Sequence, residues 1–279
     1  MPHFLSVCGS LRAGSFNSIL LATAEAELTR LGGSVERYTA IGTLPHFDQD
    51  REDPVPDDIA ALRQAVLDTD GVLIATPTYN HAVTGALKDW IDWLSRPPGK
   101  SVLAGKPVAV ITSSIGPNAG SASAEYLERI AKAFRAHVVY PITSIASVHA
   151  TLNDENSPDE PTMARLNETA QALMLTARGA QVVDNEARSR YELVIDGNVV
   201  GYSQYRTNTI AGVPAVELFH TVTKPPNGGQ GMAAFLTHTI LDRIAATDDG
   251  RRVIPSCHFV ADYIDAHPRY QPLLPPPTD

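Results

Sequence analysis

The segment from Gly9 to Ser18 carries the groups that a phosphate monoester needs. It follows a β-rich run and opens an amphipathic stretch, so backbone N–H groups and the positive end of a helix dipole meet there. Gly9 permits a tight turn and the close approach of a ligand. The hydroxyl, guanidinium and amide side chains of the segment are those of Ser10, Arg12, Ser15, Asn17 and Ser18. The alternative is a polar turn into a helix that Ser15 or Asn17 caps.

Two later loops have a similar composition and also follow β-rich runs. The first extends from Thr76 to His81, and its hydroxyl and amide groups can hydrogen-bond the edge of a planar heterocycle while Tyr79 walls the ring. The second extends from Ser113 to Ser121 and is rich in Gly, Ser and Asn. Three such loops are much less expected by chance than one.

The C-terminal part of the chain contains a further glycine-rich loop and a cysteine. Thr221 to Ala234 reads as a strand, a glycine loop and the start of a helix, which suits a pyrophosphate, whereas the loop without its context is more typical of a simple hinge turn. Cys257 is the candidate for thioester chemistry, because a thiolate near a helix start can accept an acyl group. A buried structural cysteine is the alternative. His258 is predicted to follow it on a strand and to point to the opposite face.

Composition limits the classes of protein that fit. The chain has 279 residues, 43% of them hydrophobic and 19% charged, which is typical of globular domains, and we expect two. The net charge is −9 and no Lys/Arg-rich stripe is present, which argues against nucleic-acid binding. Cys8 and Cys257 have no metal-ligand spacing, so no metal is expected. No apolar run reaches the roughly 18 residues of a membrane span and no signal sequence is seen, so we expect a cytoplasmic protein without membrane contact.

Residues 1–180 alternate β-rich runs with amphipathic helical patterns, which is typical of a parallel sheet covered on both faces. The predicted strands are Pro2–Cys8, Ser34–Thr39, Gly71–Ala75, Pro107–Thr112 and Val138–Ser144. The predicted helices are Asn17–Leu31, Asp57–Asp68, Gly85–Leu94, Ser121–Ala136 and Pro161–Gly179. The expected fold is α/β, a doubly wound parallel five-stranded sheet of order 2-1-3-4-5 with ligands beyond the carboxyl ends of strands 1, 3 and 4. The three polar loops all fall at that edge.

After Gly179 the pattern becomes antiparallel. Arg190–Ile195 and Val199–Tyr205 flank Asp196-Gly197, a strong hairpin signal, and Ala215–Val222 is a third predicted strand. A helix over Met232–Ala246, a short strand through Pro255 and the run Phe259–Ala266 complete the pattern. We therefore expect a first domain at 1–180 and a small C-terminal α+β domain at 187–279, joined near Gln181 to Ala187.

Spaced motifs in two of the loops make the first domain recognisable. Gly9-Ser10-Leu11-Arg12 with Ser15 and Asn17, and Pro77-Thr78-Tyr79-Asn80 with Gly85, Leu87-Lys88 and Ile91-Asp92-Trp93, resemble the NADPH-dependent FMN reductases of the flavodoxin-like superfamily. The resemblance covers about residues 1–180. In the third loop this chain has Ile115-Gly116-Pro117 where the family usually has two glycines.

The resemblance implies FMN as cofactor, NADPH or NADH as co-substrate, and hydride transfer through FMN to a flavin, quinone or similar small-molecule acceptor. The implied FMN-phosphate residues are Ser10, Arg12, Ser15, Asn17 and Ser18, and the implied isoalloxazine residues are Pro77, Thr78, Tyr79 and Asn80, with Ser113 and Gly116 from the third loop. A homodimer or homotetramer through this domain is also implied. Because a flavin carries the chemistry, no acid–base pair is required.

Residues 188–274 are similar to the small, truncated acetyltransferase-like branch of the GNAT superfamily. Three predicted antiparallel strands precede the glycine loop, and Pro255-Ser256-Cys257-His258-Phe259-Val260 follows it. The similarity implies that coenzyme A pyrophosphate contacts Gly228, Gly229, Gln230, Gly231, Met232 and Ala233, and that pantetheine amides pair with His220, Thr221 and Val222. The Asp196-Gly197 turn leaves no room for the helices that shape the acceptor pocket of full-sized acetyltransferases. Acetyl-CoA chemistry and coenzyme A binding without transfer both remain open.

Two interpretations of the whole chain follow. The first is an FMN-dependent NAD(P)H oxidoreductase fused to an acetyltransferase-like domain. The second is a non-enzymatic FMN-binding electron carrier or redox sensor whose second domain binds coenzyme A or docks a partner. Carrier flavodoxins usually have a hydroxyl-rich phosphate loop without arginine, so Arg12 favours the oxidoreductase.

Overall fold

The computed structural model describes residues 1–118, 120–210, 212–225, 229–247 and 249–276. The chain divides into two compact units, Met1–Ala177 and Arg178–Asp279. Among the described residues, no helix combines the length and the apolar character needed to cross a bilayer.

The first unit alternates strands and helices. Its strands are β1 (His3–Cys8), β2 (Ser34–Tyr38), β3 (Gly71–Pro77), β4 (Pro107–Ser113), β5 (His137–Val138) and β6 (Thr143–Ile145). Its helices are α1 (Phe16–Arg30), α2 (Asp57–Leu67), α3 (Gly85–Leu94), α4 (Ser121–Ala133) and α5 (Glu160–Ala177). The strands form one parallel sheet in the order β2-β1-β3-β4-β5, with β6 also pairing with β4, which confirms the predicted doubly wound topology.

The last strand of this sheet differs from the prediction of one continuous strand over Val138–Ser144. β5 pairs with the start of β4 and β6 pairs with its end, and the chain leaves the sheet between them. Pro141 lies in the gap and has no N–H group for a sheet hydrogen bond, so an interruption at this point is expected.

The centre of the first unit is apolar. β3 and β4 are buried along almost their whole length, as both faces of the sheet are covered by helices. Helix α3 packs Trp90 and Trp93 into this core, where both side chains are fully or nearly fully buried. Thr84 caps α3, with its Oγ1 accepting a hydrogen bond from the backbone N–H of Leu87 at 3.3 Å.

The second unit is a five-stranded mixed sheet with two helices. Its elements are β7 (Gln181–Asn185), β8 (Arg190–Ile195), β9 (Asn198–Ile210), β10 (Val213–Thr223), α6 (Met232–Ala245), β11 (Arg252–Ile254) and α7 (His258–Ala266). The strand order is β11-β10-β9-β8-β7; β7 to β10 are antiparallel neighbours, and β11 runs parallel to β10.

Two predictions for this unit were wrong. Gln181–Asn185 is a strand rather than a joint, because it pairs in antiparallel register with β8 and buries Val182. Its mostly polar sequence gave no alternating pattern. His258 does not lie on a strand but begins α7, for which Cys257 is the N-cap residue, so the argument about opposite strand faces does not apply.

Candidate functional site

The three polar loops of the first unit meet at one cavity of about 370 Å³, beyond the carboxyl ends of β1, β3 and β4. Its volume lies within the range of small-molecule and cofactor pockets. The walls are formed by Ser10, Arg12, Ser15, Phe16, Asn17, Pro77, Thr78, Tyr79, Ser113, Ser114, Ile115 and Val148. In an open parallel α/β sheet this is the edge at which ligands bind, where the strand order reverses.

The first loop delivers a helix N-terminus and a cation to this cavity. Ser15 is the N-cap of α1, yet its side chain makes no capping hydrogen bond. The first turn of a helix leaves backbone N–H groups without helical partners, which an anion can accept. Arg12 lies above the ring of Phe16 at 5.2 Å and donates a hydrogen bond to the carbonyl oxygen of Gly14 at 3.1 Å. The guanidinium group is therefore held beside the helix start.

Two polar atoms on the cavity wall are buried without a protein partner. Within the described part of the chain, neither Asn17 Oδ1 nor Ser113 Oγ has a hydrogen-bond partner, and both side chains are almost fully buried. A buried polar group without a partner costs about 1–3 kcal/mol, so such groups in native proteins usually face a ligand or water. Their position beside the cavity fits a polar ligand with a phosphate at one end and hydrogen-bonding groups along its length, as FMN has.

Neighbouring threonine side chains leave no room for a Cβ atom at Gly9 and very little at Gly120. A Cβ atom at Gly9 would lie 2.5 Å from Thr76 Oγ1, and one at Gly120 would lie 3.0 Å from Thr112 Cβ. Gly120 also has a positive φ of 76°. The loops can therefore approach each other only with glycine at these two positions.

The second loop is fixed by a hydroxyl group on α4, by Thr84 at the start of α3 and by its own backbone. Thr78 Oγ1 donates to Ser123 Oγ at 2.8 Å, and Ser123 Oγ in turn donates to the carbonyl oxygen of Ala82 at 3.0 Å. The backbones of Tyr79 and Ala82 exchange two hydrogen bonds of 2.9 and 3.0 Å. Thr84 Oγ1 donates to the carbonyl oxygen of Gly9 at 2.5 Å, which joins this loop to the first.

Hydrogen bonds also fix the backbone of the third loop. Ser114 Oγ accepts the N–H of Gly116 at 3.0 Å, and the carbonyl oxygen of Ser114 accepts the N–H of Val148 at 3.0 Å. The N–H of Ser147 donates to the carbonyl oxygen of Gly116 at 3.1 Å. Ile115 stands between these anchored residues with its side chain exposed.

The structure brings most of the proposed flavin residues together. Those that line the cavity are Ser10, Arg12, Ser15, Asn17, Pro77, Thr78, Tyr79 and Ser113; Ser18, Asn80 and Gly116 do not. Ser18 lines a neighbouring cavity of about 410 Å³, and its Oγ accepts a hydrogen bond from Arg37 Nη1 at 3.1 Å. Asn80 is exposed in the left-handed backbone region, with φ of 50°.

Sequence reasoning did not assign Phe16, Ser114, Ile115 and Val148 to the wall. Ser114 could have been found, because it directly follows Ser113 in a loop already singled out. Val148 lies in a short 3₁₀ turn well after the sheet edge, and an apolar residue there carries no signal of a ligand.

In the second unit, β10 has an edge that β11 covers only in part. β11 pairs with β10 over Ala215–Glu217, and the N–H of Cys257 then donates to the carbonyl oxygen of Leu218 at 2.9 Å. Beyond this point β10 pairs with β9 on one side, and within the described residues no strand adjoins its other side. His220, Thr221 and Val222 lie on this stretch, after an irregularity between Leu218 and His220. A partly free strand edge can bind the amides of an extended ligand.

Cys257 lies next to this edge, at the start of α7. Burial raises the pKa of its thiol, but interactions with Val260, Thr221 and Phe259 together lower it by more, so the net pKa lies below the ordinary value for cysteine. Its side chain makes no capping hydrogen bond to α7. By contrast, burial raises the pKa of the Cys8 thiol in the first unit. Of the two cysteines, Cys257 is the one that favours the thiolate.

The glycine loop precedes α6. Gly228 lies outside the described residues. Gly229 and Gly231 both have a positive φ of 73°, and Gly231 is the N-cap of α6, which begins with Met232 and Ala233. Gln230 is partly buried between them. The loop thus ends at a helix start, whose first N–H groups have no partners within the helix, as a pyrophosphate site requires. Within the described part of the chain, no cluster of three or more His, Cys, Asp or Glu side chains could hold a metal ion.

Comparison with known proteins gives two family matches. The sequence model of the NADPH-dependent FMN reductase family matches residues 2–150, and that of the GCN5-related N-acetyltransferases matches residues 190–273. A 2-hydroxy-1,4-benzoquinone reductase from a Burkholderia species is 46% identical over 39% of this chain and 59% of its own length. An NADPH:quinone oxidoreductase from Arabidopsis thaliana is 32% identical over 62% of this chain and 92% of its own length.

A solved structure agrees with the first of the two family matches. FerB, a flavoenzyme NAD(P)H:(acceptor) oxidoreductase from Paracoccus denitrificans, superposes with a TM-score of 0.56 at 26% identity, over 64% of this chain and 98% of its own. The parallel sheet of order β2-β1-β3-β4-β5 with its cavity at the switch point defines a flavodoxin-like protein. The match over residues 2–150 shows that the chain belongs to the NADPH-dependent FMN reductase family. Later in the sequence, the chain carries a GCN5-related N-acetyltransferase-like domain.

Proposed function

We propose that the first unit is an FMN-dependent NAD(P)H oxidoreductase. The observation that carries the proposal is the cavity at the sheet edge, where an arginine, a helix start and two buried unpartnered polar atoms converge. The family match and the names of the relatives from Burkholderia and Arabidopsis support a quinone or a similar small molecule as the acceptor. The chain spans 59% of the length of the Burkholderia relative. The proposed activity therefore rests on the site as well as on this relative.

The residues of the cavity bind and orient rather than react. FMN, when bound, supplies the hydride chemistry that accepts two electrons from a nicotinamide and passes them to an acceptor. Ser10, Arg12 and Ser15, with the N–H groups at the start of α1, hold the phosphate. Asn17 and Ser113 offer their unpartnered oxygens to polar groups of the ligand, and Pro77, Thr78 and Tyr79 form the wall beside the ring.

The test is flavin retention followed by reduction. Purified protein is mixed with FMN, desalted, and then exposed anaerobically to NADPH and, separately, to NADH. We expect retained flavin whose absorbance near the visible maximum is lost rapidly with one or both nucleotides. Retained flavin that stays oxidised would favour the carrier or sensor, and a protein without retained flavin would overturn the assignment of the three loops.

The same unit is proposed to assemble as a homodimer or homotetramer, as the family resemblance implies. Light scattering of the FMN-loaded protein measures the mass in solution, and a monomer at micromolar concentration would contradict this part of the proposal.

For the second unit we propose binding of acetyl-CoA, with acyl transfer through Cys257. The specific observation is that a cysteine with a lowered pKa lies beside the partly free edge of β10, where its backbone N–H donates to the carbonyl oxygen of Leu218. In the transfer step, the Cys257 thiolate attacks the thioester carbonyl carbon, a new S–C bond forms, and the bond to the sulfur of coenzyme A breaks. Coenzyme A leaves as a thiolate that takes up a proton from solvent. The step involves no oxidation.

Mass spectrometry after incubation with acetyl-CoA tests this step. We expect an increase of one acetyl group on the peptide containing Cys257, no such increase on the peptide containing Cys8, and loss of labelling in Cys257→Ser. The Ser256→Ala variant is the matched control at the neighbouring position and should label normally. Binding of acetyl-CoA by calorimetry without any label would retire the role of Cys257 and leave coenzyme A binding alone.

A further inference from the structure

The neighbouring cavity of about 410 Å³ adjoins the loop that is proposed to bind phosphate. It lies at the carboxyl ends of β1 and β2, whereas the flavin cavity lies beyond those of β1, β3 and β4. We call it the β2 cavity. The two cavities share Ser10, Arg12 and Ser15 as wall residues. A ligand whose phosphate lies at these three residues therefore has room to extend in two directions.

The described wall of the β2 cavity is positively charged. It contains Arg12 and Arg37 and no Asp or Glu, although the net charge of the chain is −9. Arg37 is fixed in place, because its Nε and Nη2 donate to the carboxylate of Glu25 at 2.8 and 2.6 Å and its Nη1 donates to Ser18 Oγ at 3.1 Å. Glu25 offsets part of the charge. Within the described residues these bonds engage three of the five guanidinium N–H groups, so two are left for a ligand.

The remainder of the wall suits a purine base. Ile19, Ile41 and the partly buried ring of Tyr38 supply aliphatic and aromatic surface. Leu11 reaches from the phosphate loop to the turn after β2, where its Cδ2 lies 3.0 Å from the position that a Cβ atom would take at Gly42. An apolar surface beside arginine and serine side chains matches a nucleoside phosphate.

We propose that the two cavities together bind flavin adenine dinucleotide (FAD), with its FMN part in the flavin cavity and its adenosine monophosphate part in the β2 cavity. The inference rests on the proposed flavin site and extends it to the dinucleotide. The pyrophosphate would lie at the shared wall, where Arg12 and Arg37 supply one positive charge for each phosphate.

The volumes and the connection between the cavities favour this ligand. The β2 cavity, at about 410 Å³, is at least as large as the flavin cavity of about 370 Å³, so it has room for a nucleoside phosphate. FAD continues covalently from the FMN phosphate into the second cavity. The adenosine part of NAD(P)H lacks this connection, because its nicotinamide ring has to approach the flavin ring.

Calorimetric titration of the apoprotein with FMN and, separately, with FAD tests the proposal. In the natural protein the two dissociation constants should agree within about threefold. Arg37→Met should weaken FAD binding at least about tenfold and FMN binding by no more than about twofold, because Arg37 does not line the flavin cavity. The control is Arg30→Met, which breaks another ion pair of α1, with Glu27, at a residue that lines neither cavity. It should leave both affinities unchanged.

A second variant tests the space instead of the charge. Thr39 is exposed and lines the β2 cavity but not the flavin cavity. Thr39→Phe should fill part of the β2 cavity, weaken FAD binding at least about tenfold and leave FMN binding within about twofold. The retained affinity for FMN reports that the variant is folded.

FAD binding that neither Arg37→Met nor Thr39→Phe weakens would overturn the proposal, because the adenosine part would then lie in solvent. Equal losses of FMN and FAD affinity in both variants would also overturn it. If Arg37→Met raises the KM for NADPH and leaves FAD binding unchanged, the β2 cavity binds the co-substrate and the proposal is wrong. A natural protein that binds FMN but not FAD overturns the dinucleotide alone, whereas one that binds neither overturns the proposed function.

Discussion

In the proposed flavin site, Arg12 is the residue on which we expect phosphate recognition to depend most. Among the described residues that line the flavin cavity it alone has a permanent charge, and it lies beside the start of α1. Its contacts with Phe16 and Gly14 hold the guanidinium group without neutralising it, since neither partner is an acid. The positive charge is therefore available to an anionic ligand.

We expect Arg12→Ala to weaken FMN binding by about 1.5–3 kcal/mol, because a charge-assisted hydrogen bond to phosphate is lost. Titration of the apoprotein with FMN, followed by quenching of flavin fluorescence, measures the effect. The matched control is Arg178→Ala, which removes an exposed arginine directly after the C-terminal end of α5. An FMN affinity in Arg12→Ala equal to that of the control would remove the phosphate assignment.

At the residue scale, the second unit contains a partly buried polar cluster in which Arg269 and Tyr270 meet two residues of α6, His238 and Asp242. Asp242 accepts hydrogen bonds from Tyr270 at 2.8 Å and from Arg269 at 2.8 Å, and it lies 3.1 Å from His238 Nε2. Burial raises the pKa of Asp242, but these partners together outweigh burial and lower the pKa below its ordinary value of 3.8. A carboxyl with a lowered folded-state pKa stabilises the fold above its unfolded pKa and loses that contribution as pH falls.

The Asp242→Asn variant should therefore be less stable than the natural protein at pH 5–7, and the difference should shrink below about pH 4. Calorimetric unfolding at a series of pH values measures it, and resolves separate transitions if the units unfold independently. Glu125→Gln, in an exposed part of α4, is the control. A difference between Asp242→Asn and the natural protein that stays constant with pH would contradict the role of this ionisation.

At the scale of elements, Thr84 joins two loops that are far apart in sequence. The Thr84 hydroxyl caps α3 and also donates a hydrogen bond to the carbonyl oxygen of Gly9, in the loop before α1 that is proposed to bind phosphate. The start of α3 and this phosphate loop are therefore positioned by the same buried side chain. A change at Thr84 should be felt at the flavin although Thr84 does not line the cavity.

Thr84→Val keeps the shape and removes the hydroxyl, and should cost about 1–2 kcal/mol of unfolding free energy through loss of the cap and the cross-link. The affinity for FMN should fall together with the stability. Thr84→Ser, which keeps the hydroxyl, should keep both the stability and the FMN affinity. Thermal unfolding with and without FMN provides the two readouts. If Thr84→Val unfolds earlier but binds FMN as tightly as Thr84→Ser does, the link to the phosphate loop is unnecessary for binding.

The order of the first sheet could be predicted because alternation of strands and helices with short connections permits few topologies. The polar half of the flavin cavity could be predicted for the same reason, since Ser10, Arg12 and Thr78 follow strands that must end at one edge. The apolar half could not. Val148 lies on the wall because a turn follows β6. The formation of β6 depends in turn on how the chain continues past Pro141. Likewise, β7 is specified by its pairing with β8, and its own residues carry little strand signal.

At the scale of the whole molecule, the two proposed activities use separate residues in separate units. The flavin cavity is formed entirely within Met1–Ala177, and the edge of β10 and Cys257 lie within Arg178–Asp279. Nothing in either set of contacts requires the other ligand.

Cys257→Ser should accordingly abolish acetyl labelling and leave the rate of flavin reduction by NADPH within about twofold of the natural protein. Arg12→Ala should weaken FMN binding and leave acetyl labelling intact. Both are measured on the full-length chain. If Cys257→Ser slows flavin reduction severalfold while retaining flavin, the two units communicate and the independence described here is wrong.

The uncovered edge of β10 after Leu218 has a consequence for the behaviour of the protein at high concentration. A strand edge with free backbone groups can recruit a strand from another molecule and start self-association. A bound pantetheine chain would occupy the same groups, so coenzyme A and its acetyl ester would protect this edge against aggregation in addition to their part in acyl transfer. Heating at high protein concentration with and without coenzyme A should then give clear solutions only in its presence.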